Sequence, residues 1–168
     1  MAILRSQLSP YTAKAGVYKS ASRAQAETDV FLSHSHKDAD IVGAAVKFLA
    51  EQGVRVYVDW MDSGMPSETS PATAARIKQK ICANRKFVLL VTENSRSSKW
   101  VPWELGCADG VRGLDHMAIL AVEDRAGALK GSEYLGLYAQ ISRAVDGDWI
   151  VVKPGENRGP TFASWLRS

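Results

Sequence analysis

The feature that most constrains this chain is an alternation. Short apolar runs recur along it, and each gives way to a segment of helical spacing. The runs are "DVFLS" (29–33), "VRVYVD" (54–59), "KFVLLVT" (86–92) and "MAILAV" (117–122). Apolar runs this short, bounded by polar residues, read as strands, and the continuous ones read as strands buried on both faces. Between them, "ADIVGAAVKFLAEQG" repeats Ile41, Ala45, Phe48 and Leu49 at helical spacing, with Gly53 to close it. "ATAARIKQKICAN" turns Ala74, Ile77 and Ile81 inward, and a third helix runs through "ELGCADGVRG". Strand alternating with helix is the mark of an α/β domain with a parallel sheet, and right-handed crossovers place helices on both faces.

Beyond residue 122 the pattern is less regular. "EDRAGALKGSEYLGLYAQIS" reads as mixed, with an exposed glycine-containing loop. "DWIVVK" (148–153) reads as a fifth strand and "TFASWLRS" as a terminal helix. Residues 1–26, rich in Ala, Ser, Lys, Arg and Gln, read as an N-terminal extension to a domain spanning 27–168. Asp38 or Asp40 is positioned to cap the first helix.

The totals exclude several classes. A net charge of +3, from 21 basic and 18 acidic residues, is too mild to argue for nucleic acid. No apolar run is long enough to span a membrane, and the first residues lack the apolar stretch of a secretory signal. Two cysteines without metal-type spacing point to free thiols in a reducing compartment, hence a cytoplasmic protein. Neither common phosphate loop, G-x-G-x-x-G or G-x-x-x-x-G-K-[ST], occurs.

In parallel α/β sheets, ligands bind beyond the carboxyl ends of the strands. The residues that fall there are Ser33, His34, Ser35 and His36 after the first strand, then Asp59, Trp60 and Asp62 after the second. Thr92 to Ser95 follow the third, and Glu123 and Asp124 the fourth. That edge has the makeup of a small-molecule cleft: aromatic walls with a few placed polar groups. One acid stands out. In "SKWVPWELGCADG" (98–110), Glu104 lies between Trp103 and Leu105 in a largely apolar run. A buried, unpaired carboxylate is expensive, so Glu104 either turns outward near a helix N-terminus or sits in a cleft that uses its charge. Trp100 is four residues before it, one helical turn away, with Pro102 fitting only a first turn.

These residues resemble a known family. "DVFLSHSHKDAD" is similar to the first box of Toll/interleukin-1 receptor (TIR) domains. "VRVYVDWMDSGMP" resembles their second strand and BB loop, and "SKWVPWELGCADG" their third-helix motif W-x-x-x-E. "EYLGLY" (133–138) resembles stand-alone bacterial TIR proteins of the NAD-cleaving, Thoeris-like antiphage type. The resemblance covers about residues 27–168. It implies a flavodoxin-like three-layer fold with a five-stranded parallel sheet in order 2-1-3-4-5. Many bacterial and plant members cleave the nicotinamide–ribose bond of NAD+, giving ADP-ribose, cyclic ADP-ribose or its isomers as signals. Others are assembly modules, and many of those lack the motif glutamate. That glutamate is the family's catalytic residue and matches Glu104; the motif tryptophan matches Trp100.

The chemistry agrees with a lone carboxylate. Breaking an N-glycosidic bond develops positive charge on the ribose, the state that glycosidases meet with carboxylates. Nicotinamide leaves as a neutral molecule from a cationic ring, so no general acid is needed. One carboxylate can then bind ribose hydroxyls and stabilise the growing charge. The expected site is Glu104 as catalytic residue, with Trp100, Ser33, His34, Asp59 and Trp60 contacting substrate. NAD+ is the substrate, and no cofactor is expected. His34 and His36 alternate as metal ligands might, but no third ligand is near them in sequence, so no metal is expected either. Cys107 lacks an evident histidine base and reads as structural. Self-association through the 60–71 loop is the expected partnership, with a downstream effector that senses the nucleotide product. Two other readings stand beside this one: a non-catalytic TIR–TIR interaction module, and an N-glycosidase similar to nucleoside 2-deoxyribosyltransferases.

Overall fold

The computed structural model describes residues 3–4, 8, 29–66, 68–123 and 133–168. The strands are β1 (Ile3–Leu4), β2 (Val30–Ser33), β3 (Val56–Tyr57), β4 (Lys86–Val91), β5 (Met117–Glu123), β6 (Ala139–Arg143) and β7 (Trp149–Val152). The helices are α1 (Ala39–Glu51), α2 (Pro71–Ala83), α3 (Glu93–Arg96), α4 (Trp100–Arg112) and α5 (Phe162–Arg167). The sheet runs β3-β2-β4-β5-β6-β7, and β1 pairs with β5. All neighbours are parallel except β6 and β7. Leaving β1 aside, the five parallel strands follow the expected order 2-1-3-4-5.

The strands alternate faces, as a pleated sheet requires, and this splits the core in two. Val30, Leu32, Val88, Leu90 and Leu120 share one side with Phe48 of α1 and Phe162 of α5. Phe31, Phe87, Leu89, Val91 and Ile119 share the other with Ile77 and Ile81 of α2 and Leu105 of α4. Phe31 stacks between Tyr57 and Phe87, at 5.2 and 5.6 Å between ring centroids. Parity then settles one functional position. Ser33 shares a face with Phe31, so it points toward α4.

Two expectations need correction. The fifth parallel strand is Ala139–Arg143, not 148–153; Trp149–Val152 returns antiparallel beside it, from Arg143↔Trp149 to Gln140↔Val152. The reason is loop length. The Ala144 N–H bonds the Asp148 carbonyl at 2.8 Å, and Gly147 turns at φ +96°. So short a link reverses the chain, whereas a parallel crossover needs a dozen residues or more. Asp38 stands at the N-cap of α1 but makes no side-chain cap bond. Its buried carboxylate instead accepts from the Thr92 hydroxyl and the Asn94 amide, both at 2.6 Å. That ties the loop after β2 to the one after β4. Gly53 closes α1 with φ +83°, as expected.

β1 and the buried Leu8 lie within the expected extension, and Leu8 joins the α1-side core. The boundary at residue 26, and Asp124, lie outside the described residues. Among the described residues, no helix is long and apolar enough to cross a membrane.

Phe48 is fully buried, stacked on Phe162 at 5.7 Å and edge-on to Trp149 at 5.0 Å. Phe48→Ala is expected to cost about 3–5 kcal/mol, read as a lower urea midpoint with an unchanged slope.

Candidate active site

The helix α4 explains where the carboxylate goes. Its buried residues are Val101, Glu104, Leu105 and Ala108. That spacing is one apolar stripe facing the sheet, and Glu104 occupies a core position in it, only 5% exposed. The outward reading of Glu104 is thereby overturned. The helix begins early enough to hold Trp100 as well. Ser98 Oγ accepts from the N–H groups of Trp100 and Val101, at 3.2 and 3.4 Å. Pro102, in the first turn, has no N–H to satisfy. Trp100 and Glu104 therefore lie one turn apart on one helix. Trp100 is half-buried and meets Trp103 edge-on at 5.5 Å.

Across from α4, Ser33 ends β2. Its hydroxyl donates to Glu104 Oε2 at 2.5 Å, and both groups are buried. Two influences then compete at Glu104. Burial disfavours the anion, and the charge of Asp59 adds to that; the Ser33 hydrogen bond favours it. Burial wins, and the carboxyl is pushed up from 4.5 to about 8. Perturbed acids of this kind cluster at functional sites.

The loops after β2 and β3 lie side by side because those strands pair, with Phe31 opposite Tyr57. They bring His34, His36, Asp59 and Trp60 together. Asp59 Oδ2 lies 2.7 Å from His36 Nε2, and Oδ1 lies 3.4 Å from His34 Nε2. The Trp60 N–H donates to Asp59 Oδ1 at 2.8 Å, and the indole stands perpendicular to the His34 ring at 4.5 Å. Burial lowers the His34 pKa, outweighing the opposing pull of Asp59. Trp60 is exposed and His34 is buried.

The root of the 60–71 loop is pinned. Asp62 accepts from Arg76 Nε and Nη2 at 3.0 and 3.1 Å, from the Tyr57 hydroxyl at 2.9 Å and from the Gly64 N–H at 2.9 Å. Burial alone would raise its pKa, but these donors hold it near 2.

Of the six expected site residues, Ser33 and Glu104 touch, and His34, Asp59 and Trp60 form a second cluster reached through the Ser33–His34 peptide. Trp100 flanks the carboxylate along α4. Sequence reasoning missed His36 as a partner of Asp59, because the two lie 23 residues apart. Only strand pairing brings them together.

The parallel order 2-1-3-4-5 and the buried helical Glu104 at the carboxyl edge are the features expected of a TIR-type α/β domain. The profile of the TIR domain matches residues 30–145, and the chain belongs to that family. It is 31% identical over 147 residues to a probable 3′ cyclic ADP-D-ribose synthase, ThsB′, of Bacillus cereus (strain MSX-D12), covering 83% of this chain and 75% of that one. It is 34% identical over 80 residues to a putative cyclic ADP-D-ribose synthase, TIR2, of Cytobacillus dafuensis, covering 46% of this chain but only 21% of that protein. The TIR domain of the Toll-related receptor TRR-2 from Hydra magnipapillata superposes with a TM-score of 0.49 at 12% identity, over 67% of this chain and 83% of that one. That likeness is too slight to bear on function.

The raised pKa of Glu104 links stability to pH. Glu104 stays protonated in the fold up to about pH 8 but ionises near 4.5 when unfolded. Between those values unfolding releases a proton, so stability falls as pH rises. Glu104→Gln, which keeps an acceptor for Ser33, removes that slope. The variant is expected to match wild type near pH 4.5 and to exceed it at pH 8 by at least about 1.4 kcal/mol, the equivalent of one pKa unit. Urea titrations at both pH values check this.

Proposed function

We propose that the protein cleaves the nicotinamide–ribose bond of NAD+, releasing nicotinamide with ADP-ribose or a cyclic ADP-ribose isomer, in bacterial immune signalling. The observation that carries this reading is the buried Glu104, held by Ser33 at the carboxyl edge of the sheet, one turn from Trp100. The names of the two curated relatives support it.

In this reading the C1′–N bond breaks with its electron pair going to the nicotinamide nitrogen. The ribose becomes oxocarbenium-like, and the Glu104 anion stabilises it at close range in a dry site. Ser33 orients that carboxylate and favours its charged form. Trp100 supplies a flat apolar surface beside it, while His34, Asp59 and Trp60 wall the neighbouring part of the cleft. Water, or a nucleophile of the substrate itself, then takes the ribosyl cation. A resident metal or second cofactor has no step to perform. Self-association through the exposed part of the 60–71 loop, a cytoplasmic setting and an effector that senses the product complete the proposal.

A pure interaction module would have no use for an acid buried at this cost. A nucleoside N-glycosidase would accept free nucleosides, which an assay can offer beside NAD+.

The test is nicotinamide release by chromatography from concentrated protein. Glu104→Gln is expected to lower kcat by at least about 100-fold. For wild type, kcat/KM should climb with pH and level off above about 8, because the free protein must lose the Glu104 proton. Ser33→Ala should move that inflection upward, since it removes the bond that favours the anion. Equal activity of wild type and Glu104→Gln would refute the assignment. Inactivity of wild type even when clustered would favour the interaction module.

A further inference from the structure

We propose that His34, His36 and Asp59 form a binding site for a divalent transition-metal ion of the zinc class, with one coordination position open to solvent. Two of these ligands, His34 and Asp59, also wall the proposed cleft, but metal uptake is read without substrate and so can fail or succeed apart from the NAD+ reading. The site revises the expectation of no metal, which rested on the want of a third ligand near the two histidines; Asp59 is that ligand.

The geometry comes from two adjacent loops. His34 and His36 follow β2, Asp59 follows β3, and the strands pair in parallel. One nitrogen from each histidine and an oxygen from Asp59 lie within 4.8 Å of one another. Each carboxylate oxygen faces a different imidazole, Oδ1 toward His34 and Oδ2 toward His36.

His34 is the decisive residue. Its Nδ1 lies 2.9 Å from the Leu32 carbonyl. A carbonyl oxygen only accepts, so Nδ1 carries the proton. Its Nε2 is buried and makes no hydrogen bond, although Asp59 Oδ1 is 3.4 Å away. Nε2 is thus a buried acceptor with no donor, 3.4 Å from a carboxylate oxygen that also only accepts. A buried acceptor left unpaired beside a carboxylate is a place that a shared cation would satisfy. Two ligands each about 2.1 Å from a tetrahedral zinc ion lie about 3.4 Å apart, which is the observed separation. Metal-bound histidines characteristically donate their other N–H to a carbonyl or carboxylate, fixing tautomer and orientation; the Leu32 carbonyl does this for His34. The Trp60 N–H fixes the carboxylate in the same way.

His36 completes the set. Its side chain is 68% exposed, so it can turn from its 2.7 Å contact with Asp59 to share an ion. The same exposure leaves the fourth position to solvent, the arrangement of an open rather than a closed zinc site. Two imidazoles and one carboxylate suit zinc, cobalt, nickel or copper; magnesium and calcium prefer oxygen ligands throughout.

The experiment titrates metal-stripped full-length protein with Co2+, followed by visible absorption, and with Zn2+, followed by calorimetry. Wild type is expected to take up one equivalent, with ligand-field bands and no thiolate charge-transfer band, which separates this site from Cys82 and Cys107. The exposed His36 can be changed without disturbing the core. His36→Ala should weaken Zn2+ binding by more than the roughly 10–100-fold that loss of a supporting partner costs, with circular dichroism unchanged. Asp59→Asn should do the same. No uptake at micromolar metal would overturn the proposal. So would a thiolate band, or equal affinity in wild type and both variants.

Discussion

The hydrogen bond from Ser33 to Glu104 joins the two parts of the molecule on which everything else at the carboxyl edge depends. Ser33 is the last residue of a central strand, and Glu104 sits in the apolar stripe of the helix that covers it. Neither group is placed well without the other. A lone carboxyl in that stripe would be buried with no partner, and a lone serine at that strand end would face an apolar helix. Their contact fixes how the start of α4 lies on the sheet. It also sets the balance between solvation and hydrogen bonding that leaves the acid poised near neutral pH.

Around that contact the loops are held by other acids, one buried and two partly buried, each with different partners. Asp38 is satisfied by a hydroxyl and an amide from the β4–α3 junction, so it acts as a cross-tie between neighbouring loops. Asp62 gathers a guanidinium, a phenol and a backbone N–H, and its charge is secure. Asp59 meets two imidazoles from the loop after β2.

Much of this was legible in the sequence. The four apolar runs and the helices between them were visible because each obeys one period. Whether Glu104 turned inward was not settled by the sequence, because its charge and its place near a helix start also suit an exposed acid; the burial of Val101, Glu104, Leu105 and Ala108 on one face decides it. The short strand Ala139–Arg143 was not legible. Gln140 and Ser142 interrupt its apolar run, and its state is decided by partners on both sides rather than by its own composition. The pairing of His36 with Asp59 was equally hidden, since only the register of β2 on β3 brings them together. The buried Lys86 is a third case. It opens a strand, with its ammonium beside His116 and Ser168 and over the ring of Trp165, none of them close in sequence.

A carboxyl group that keeps its proton while the cleft is empty works as a filter for charge. A neutral ring entering beside Glu104 leaves the acid neutral, and the pocket stays inert toward it. A cationic ring beside it would favour the charged carboxylate, the form that the proposed cleavage uses. On the proposed reaction, the oxidised dinucleotide brings the ring charge that favours the Glu104 anion, and the reduced dinucleotide does not.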